Sequence, residues 1–180
     1  MKTLILGGIK SGKSRYAEQL GRASGKPVTL IATAQALDDE MALRIQRHRD
    51  ERPRDWQVTE EPVALGQALR TSNATQRFVI VDCLTLWLTQ LLCLNDPARL
   101  QFELQSLLQA VDDARGDLVL IGNETSMGVI PQGQLSRDFS DHSGWLHQRL
   151  AERCDQVTLT IAGLPQHLKG NPAATQRTLA

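Results

Sequence analysis

The sequence predicts an α/β fold, a doubly wound and mostly parallel sheet with helices on both faces, and three observations carry that expectation. Five short apolar runs, Thr3–Leu6, Val28–Ala32, Phe78–Val81, Leu118–Gly122 and Val157–Ile161, lie along the chain. Runs this apolar suit strands covered on both faces. All but the last lead into a segment of helical character, and such alternation implies parallel strands joined by right-handed crossovers. Third, residues 7–14 read Gly-Gly-Ile-Lys-Ser-Gly-Lys-Ser, which fits the phosphate-binding pattern G-x-x-x-x-G-K-[ST] at every defined position. With a strand before it and a helix-like stretch from Ser14 to about Ala23 after it, this run makes the expected fold P-loop NTPase-type.

The first strand and its loop carry the plainest chemistry. Gly7, Gly8 and Gly12 let the backbone curl so that N–H groups of the loop, Ile9, Lys10 and Ser11 included, face an anion, and the helix start adds its positive dipole end. Lys13 is placed to reach the β- and γ-phosphates, and Ser14 to ligate Mg²⁺. A glycine-rich turn could match by chance, but the strand–loop–helix context argues for a nucleoside triphosphate site.

The segment from Asp38 to Pro53 begins like a capped helix, with acids in its first turn and bases late. Met41, Ile45 and His48 fall at offsets of 4 and 7, so His48 shares the apolar face. One reading is a core histidine, or a solvated helix with i,i+4 pairs such as Glu40–Arg44. The other starts from Arg44, Arg47, Arg49 and Arg52 around His48. Such a cluster can gather triphosphate charge about an imidazole able to attack phosphorus.

The strand Phe78–Val81 ends at Asp82. An acid there is either a turn residue or the carboxylate that a neighbouring strand presents to Mg²⁺ beside the phosphates. The stretch Leu84–Leu94 is the most apolar in the chain, shorter than the ~20 residues that cross a bilayer, and is expected to be a buried or interface helix. Asp96-Pro97 predicts an N-cap with proline at the first helical position. Leu100, Leu104, Leu107, Leu108 and Val111 then form one stripe, and Gly116 can stop the helix. Leu118–Gly122 leads to Asn123-Glu124, polar groups just past a strand's C-terminal end, where ligands of open α/β sheets sit. They either contact a substrate or activate water or a hydroxyl, or they form a turn with an N-cap. A second long helix carries Leu135, Phe139, Leu146 and Leu150, expected as core.

At 180 residues, with 41% apolar and 22% charged, the chain reads as one globular domain over 1–169. The polar, aperiodic tail 170–180 is expected to be loose. Lys+Arg and Asp+Glu are both 20, so no global basic field gathers nucleic acid or anionic membrane. Cys83, Cys93 and Cys154 are odd in number and lack C-x-x-C spacing, against a disulfide framework or a zinc site. Cys83 and Cys93 sit in apolar runs and are expected as small buried hydrophobes. The N-terminal apolar run is too short for a signal peptide. A cytoplasmic protein without a membrane span is expected.

Beyond the loop, further blocks stand in a specific order: Ile31-Ala-Thr-x-x-x-x-Asp-Asp-Glu-Met41, Arg44-Ile-x-x-His48, Arg52-Pro53 before Trp56, Glu60-Glu61-Pro62, Val81-Asp-Cys-Leu-Thr-Leu-Trp-Leu-Thr-x-Leu-Leu92, Asn123-Glu124, and Arg137-x-Phe-x-Asp141 with Gly144-x-x-x-Gln148-Arg149. From Leu4 to about Gly163 the chain resembles the bifunctional adenosylcobinamide kinase / adenosylcobinamide-phosphate guanylyltransferases of cobalamin biosynthesis. The resemblance implies two reactions. A nucleoside triphosphate, ATP or GTP, phosphorylates the aminopropanol hydroxyl of adenosylcobinamide. His48, at the position of the family's nucleophile, then takes GMP from GTP and passes it to adenosylcobinamide phosphate, giving adenosylcobinamide-GDP. Lys13, Ser14 and Mg²⁺ would neutralise phosphate charge with Asp82 holding the metal. The resemblance also implies nucleotide contacts at Thr33, Ala34, Gln35, Asp50, Glu51, Arg52, Pro53 and Glu61, and a homo-oligomer, for which the apolar 84–94 stretch suggests an interface.

Departures from the family's pattern are Ile9 and Lys10 for the usual Ala and Arg, Ser126 for Gly, Ser140 for Arg and His147 for Asn. None touches Lys13, Ser14, His48 or Asp82. Two rivals share the phosphate loop: another small-metabolite or nucleoside kinase with a structural His48, and a nucleotide-binding switch module. Neither needs a histidine among arginines.

Overall fold

The structure, a computed structural model, describes residues 1–36, 38–51, 53 and 55–170, without the side chains of residues 44 and 51. Strand and helix alternate as β1 (Lys2–Gly7), α1 (Lys13–Ala23), β2 (Val28–Ala32), α2 (Asp39–Glu51), β3 (Gln57–Glu60), α3 (Leu65–Ser72), β4 (Phe78–Asp82), α4 (Leu84–Cys93), α5 (Pro97–Asp112), β5 (Asp117–Asn123), α6 (Gln134–Arg153), β6 (Gln156–Ile161) and β7 (Leu164–Lys169). They build a seven-stranded sheet in the order β3-β2-β4-β5-β1-β6-β7. Every pairing is parallel except that of β6 with β7. The expected doubly wound sheet is present, with its single antiparallel strand at one edge.

Strand periodicity divides the core between the two faces. Leu4, Leu6, Ile31, Val79, Val81, Leu118 and Leu120 point to one side, against α3, α4, α5 and α6. Ile5, Leu30, Phe78, Ile80, Val119 and Ile121 point to the other, against Tyr16, Ala17 and Leu20 of α1 and against Trp56. The five expected strands all form. Both strands the sequence did not disclose are edges. Gln57-Val-Thr-Glu60 is largely exposed and lacks an apolar run, and Leu164–Lys169 is mostly exposed and carries Pro165, a residue sheets tolerate at edges.

The helices follow their local signals, and the differences fall at helix ends and on single residues. The Asp96 side chain accepts from Arg99 N at 3.0 Å, and the whole expected stripe of α5 is buried. The helix nevertheless ends at Asp112, short of Gly116. Gly116 serves a close approach instead, since a Cβ there would lie 2.3 Å from the Ala74 carbonyl oxygen. The apolar side chains of α4 (Leu84, Trp87, Leu88 and Leu91) are buried within the chain's own core, and Trp87 Nε1 donates to Val63 O at 2.8 Å. Cys93, expected inside, is exposed at the last turn of α4, and Cys83 is only half-buried. Leu135 is 51% exposed, because α6 begins at the rim while Leu146 and Leu150 reach the core. His48 is exposed, not packed as a core histidine. The 171–180 part of the expected loose tail lies outside the described residues. Among the described residues, no helix is long and apolar enough to cross a membrane.

Candidate active site

The phosphate loop leaves β1 at Gly7 and enters α1 at Lys13. Two glycines are required by contact as well as by φ. Gly7 (φ +154°) would place a Cβ 2.4 Å from Thr160 O, and Gly12 (φ +98°) would place one 3.0 Å from Gly163 Cα. The loop thus rests on the β6–β7 turn, where Gly163 N donates to Ser11 O at 2.9 Å. Nothing in the sequence pairs that turn with the loop, so its supporting role emerges from sheet order alone.

Lys13 is only 7% exposed. Its Nζ donates to Gly8 O at 2.6 Å and to Ser11 Oγ at 3.5 Å, so the ammonium sits across the loop it serves. Burial lowers its pKa, opposed by nearby Cys83 and Asp82. Ser14 Oγ donates to Asp82 Oδ2 at 3.1 Å. The loop and the end of β4 therefore meet, and a serine hydroxyl and a carboxylate converge beside a lysine at the C-terminal sheet edge, where ligands of such sheets lie. These oxygens are the hard donors that Mg²⁺ takes together with phosphate oxygens and water. Among the described residues, no group of three or more His, Cys, Asp and Glu could hold a metal ion.

Thr33 is fully buried. Its hydroxyl donates to Cys83 O at 2.7 Å and accepts from Cys83 N at 2.9 Å. Its amide donates to Asp82 O at 3.1 Å, and its carbonyl accepts from Gln90 Nε2 at 2.7 Å. Thr33 thus clamps the turn that holds Asp82, and its hydroxyl is fully engaged there. Burial pushes the Cys83 thiol up to about 11.

The end of β5 fits between these parts. Gly7 pairs with Asn123 in register, Glu124 N donates to Gly7 O at 3.0 Å, and Asn123 N donates to Thr85 Oγ1 at 2.7 Å. Thr85, in the first turn of α4, is a site-supporting residue that its place in an apolar run conceals. Glu124 is half-buried and accepts from Ser126 N at 2.7 Å, forming a turn and no helix cap. Behind it His147 is 9% exposed. Burial lowers its pKa, opposed by the charge of Glu124, and its Nε2 would lie 2.8 Å from a Cβ on Gly122.

The remaining expected residues are more scattered. Ile9 and Lys10 are exposed on the loop, Ala34 is half-buried and Gln35 exposed beyond β2. Glu61 Oε1 accepts from Val63 N at 2.9 Å and Ala64 N at 2.8 Å, which orders the entry to α3. Asp38 Oδ1 caps α2 through Met41 N at 2.7 Å. On α2, Asp50 accepts from Gln46 at 2.8 Å and Arg49 pairs with Glu60 of β3. His48 points to solvent and makes no hydrogen bond to the phosphate loop among the described residues. Pro53 O accepts from Trp56 N at 3.3 Å. Arg52 and the side chains of Arg44 and Glu51 lie outside the described residues.

Comparison with known proteins accords with this arrangement. The solved structure of the RadB recombinase aligns with a TM-score of 0.53 at 19% identity, covering 88% of this chain and 73% of that one, a likeness of fold alone. The bifunctional adenosylcobalamin biosynthesis protein CobP of Pseudomonas aeruginosa is 54% identical over 172 residues, 96% of this chain and 99% of that protein. The bifunctional adenosylcobalamin biosynthesis protein CobU of Salmonella typhimurium is 37% identical over 182 aligned positions, covering 94% of this chain and all of that protein. Residues 3–168 match the family described as cobinamide kinase / cobinamide phosphate guanyltransferase, and the chain belongs to that family of transferases.

Proposed function

We propose that this protein phosphorylates the hydroxyl of adenosylcobinamide with a nucleoside triphosphate, then transfers GMP from GTP to adenosylcobinamide phosphate through a histidyl–GMP on His48. The carrying observation is the family match across residues 3–168, laid over a chain whose Lys13, Ser14 and Asp82 converge on one loop. The loop amides and Lys13 bind the phosphates, and Ser14 and Asp82 would hold Mg²⁺. When bound, Mg²⁺ supplies positive charge against the phosphate oxygens. The same reading makes the enzyme cytoplasmic and homo-oligomeric.

In the second reaction a neutral imidazole nitrogen of His48 bonds to the α-phosphorus of GTP. The bond from that phosphorus to the α,β-bridging oxygen breaks, and pyrophosphate leaves with the electron pair. A phosphate oxygen of adenosylcobinamide phosphate then attacks the same phosphorus, the N–P bond breaks and His48 is regenerated. Exposure of His48 on α2 leaves its ring open to a nucleotide, and Lys13 stabilises the charge that develops on the phosphates.

Incubation with Mg²⁺ and GTP labelled at the α-phosphate, quenched in alkali, tests the reading. Acid-labile, alkali-stable label on the chain, absent in His48→Ala, is the expected result. Absence of label where GTP demonstrably binds would leave a kinase without a covalent intermediate.

A further inference from the structure

The two reactions differ in one chemical requirement. The nucleophile in the kinase step is a neutral hydroxyl, which must lose a proton as it bonds to phosphorus. The acceptor in guanylyl transfer is a phosphate monoester, already anionic near neutrality with a second pKa of about 6. A neutral imidazole likewise attacks through a free lone pair. Only phosphorylation calls for a proton acceptor, and neither Lys13 nor the Ser14–Asp82 pair suits that task.

We infer that Glu124 is the proton acceptor of the kinase step. Glu124 N bonds to Gly7 O at 3.0 Å, which fixes the residue to the phosphate loop at its first turn. The preceding amide, Asn123 N, bonds to Thr85 Oγ1 at 2.7 Å, which ties the same strand end to the helix that follows Asp82. Glu124 is thereby held at the sheet edge between the loop and the Asp82 turn. Its Oε1 accepts from Ser126 N at 2.7 Å, so the carboxylate is oriented, and its half-buried position leaves it open to a ligand. His147 closes the space behind Gly122.

A cavity of about 310 Å³ begins one residue further along the chain, lined by Thr125, by Thr89 and Leu92 of α4, and by Phe139 and Ser140 of α6 among others. Thr125 directly follows Glu124. The mixture of apolar and hydroxyl side chains suits an organic substrate that delivers an alcohol to the carboxylate while the nucleotide occupies the loop. In the step, the substrate oxygen bonds to the γ-phosphorus and its proton passes to a Glu124 carboxylate oxygen. The bond from γ-phosphorus to the β,γ-bridging oxygen breaks, and the nucleoside diphosphate departs with the electron pair.

The assignment rests on the nucleotide seat proposed above, and Lys13→Ala separates the two readings because stripping that seat lowers both activities together. The experiment measures, on the full-length protein with Mg²⁺, phosphorylation of cobinamide and guanylyl transfer to supplied cobinamide phosphate. Glu124→Gln keeps the shape and the acceptor for Ser126 N while removing the basicity. The ratio of kinase to guanylyltransferase rate is expected to fall by about 100-fold, within the range ascribed to a positioned base. Glu124→Asp, which keeps a carboxylate on a shorter stem, is expected to retain more kinase activity than Glu124→Gln. A ratio that falls less than tenfold in Glu124→Gln overturns the inference, whether both rates persist or both decline together. So does an aspartate variant no more active as a kinase than the glutamine one.

Discussion

At the scale of single residues, the site divides into groups that face a ligand and groups that hold them in place. Thr33 belongs to the second kind, since one hydroxyl both donates to and accepts from Cys83. Thr33→Val keeps the volume but leaves the Cys83 amide without its acceptor. A buried group so orphaned costs about 1–3 kcal/mol, so a lower denaturation midpoint together with weaker nucleotide binding is expected. His48 is the opposite case. Because it is exposed and makes no described hydrogen bond, His48→Ala should change stability by no more than about 0.5 kcal/mol while abolishing nucleotide labelling. Calorimetry on the variant separates loss of chemistry from loss of fold. Glu124 is tied to its surroundings on two sides, since its charge opposes the effect of burial on His147 and its carboxylate accepts from Ser126 N at 2.7 Å.

At the scale of elements, the strand ends are joined by polar contacts that no periodicity announces. Asp117 opens β5 and accepts from the chain's N-terminal amine at 2.7 Å and from Lys26 at 2.9 Å. Burial alone would raise its pKa, but the hydrogen bonds and charges of these two cations lower it on balance. A carboxylate with a depressed folded-state pKa adds stability above its unfolded value, and that stability is lost as pH falls through the folded value. Asp117→Asn should therefore lower stability at pH 7, by roughly 1 kcal/mol for a partly exposed pair. The gap from wild type should close as pH drops below about 3.8, as thermal melts across pH can record. Gly116 marks another such junction. Adding a methyl there meets Ala74 O at 2.3 Å and Arg77 O at 2.7 Å, both backbone atoms. Gly116→Ala is expected to cost about 1–3 kcal/mol, an overpacking penalty, measured by urea denaturation.

At the scale of the whole molecule, the sheet links the nucleotide site to global stability. The phosphate loop touches the β6–β7 turn through Gly163 and the end of β5 through Glu124, while Ser14 reaches β4 through Asp82. The ends of β4, β5 and β6 thus meet at the phosphate loop and the helix it opens. A ligand that binds only the folded state stabilises it by about 2.7 kcal/mol at 100 times its Kd. For a chain of this size that raises the melting temperature by roughly 5–10 °C. Mg²⁺–GTP should produce that shift in the wild type, and Lys13→Ala should lose most of it. Equal shifts in both proteins would place the nucleotide elsewhere.

Local pattern sufficed for the parts of this protein whose physics is local. The buried strands show as apolar runs because both faces are covered, α5 shows through Asp96-Pro97 and its leucine stripe, and the phosphate loop shows because its glycines and Lys13 act over eight consecutive residues. The edge strands β3 and β7 escaped notice because an edge strand has little apolar burial to advertise. Cys93 and Leu135 lie on the outside for a related reason: each sits at a helix end, where periodicity no longer tells which side the core is on. The partners of Thr33, Thr85, Gly116 and Glu124 lie about 40 to more than 110 residues away in sequence. Their roles come from the order in which strands assemble, since a hydrogen bond between distant strand ends leaves no spacing for a sequence to display.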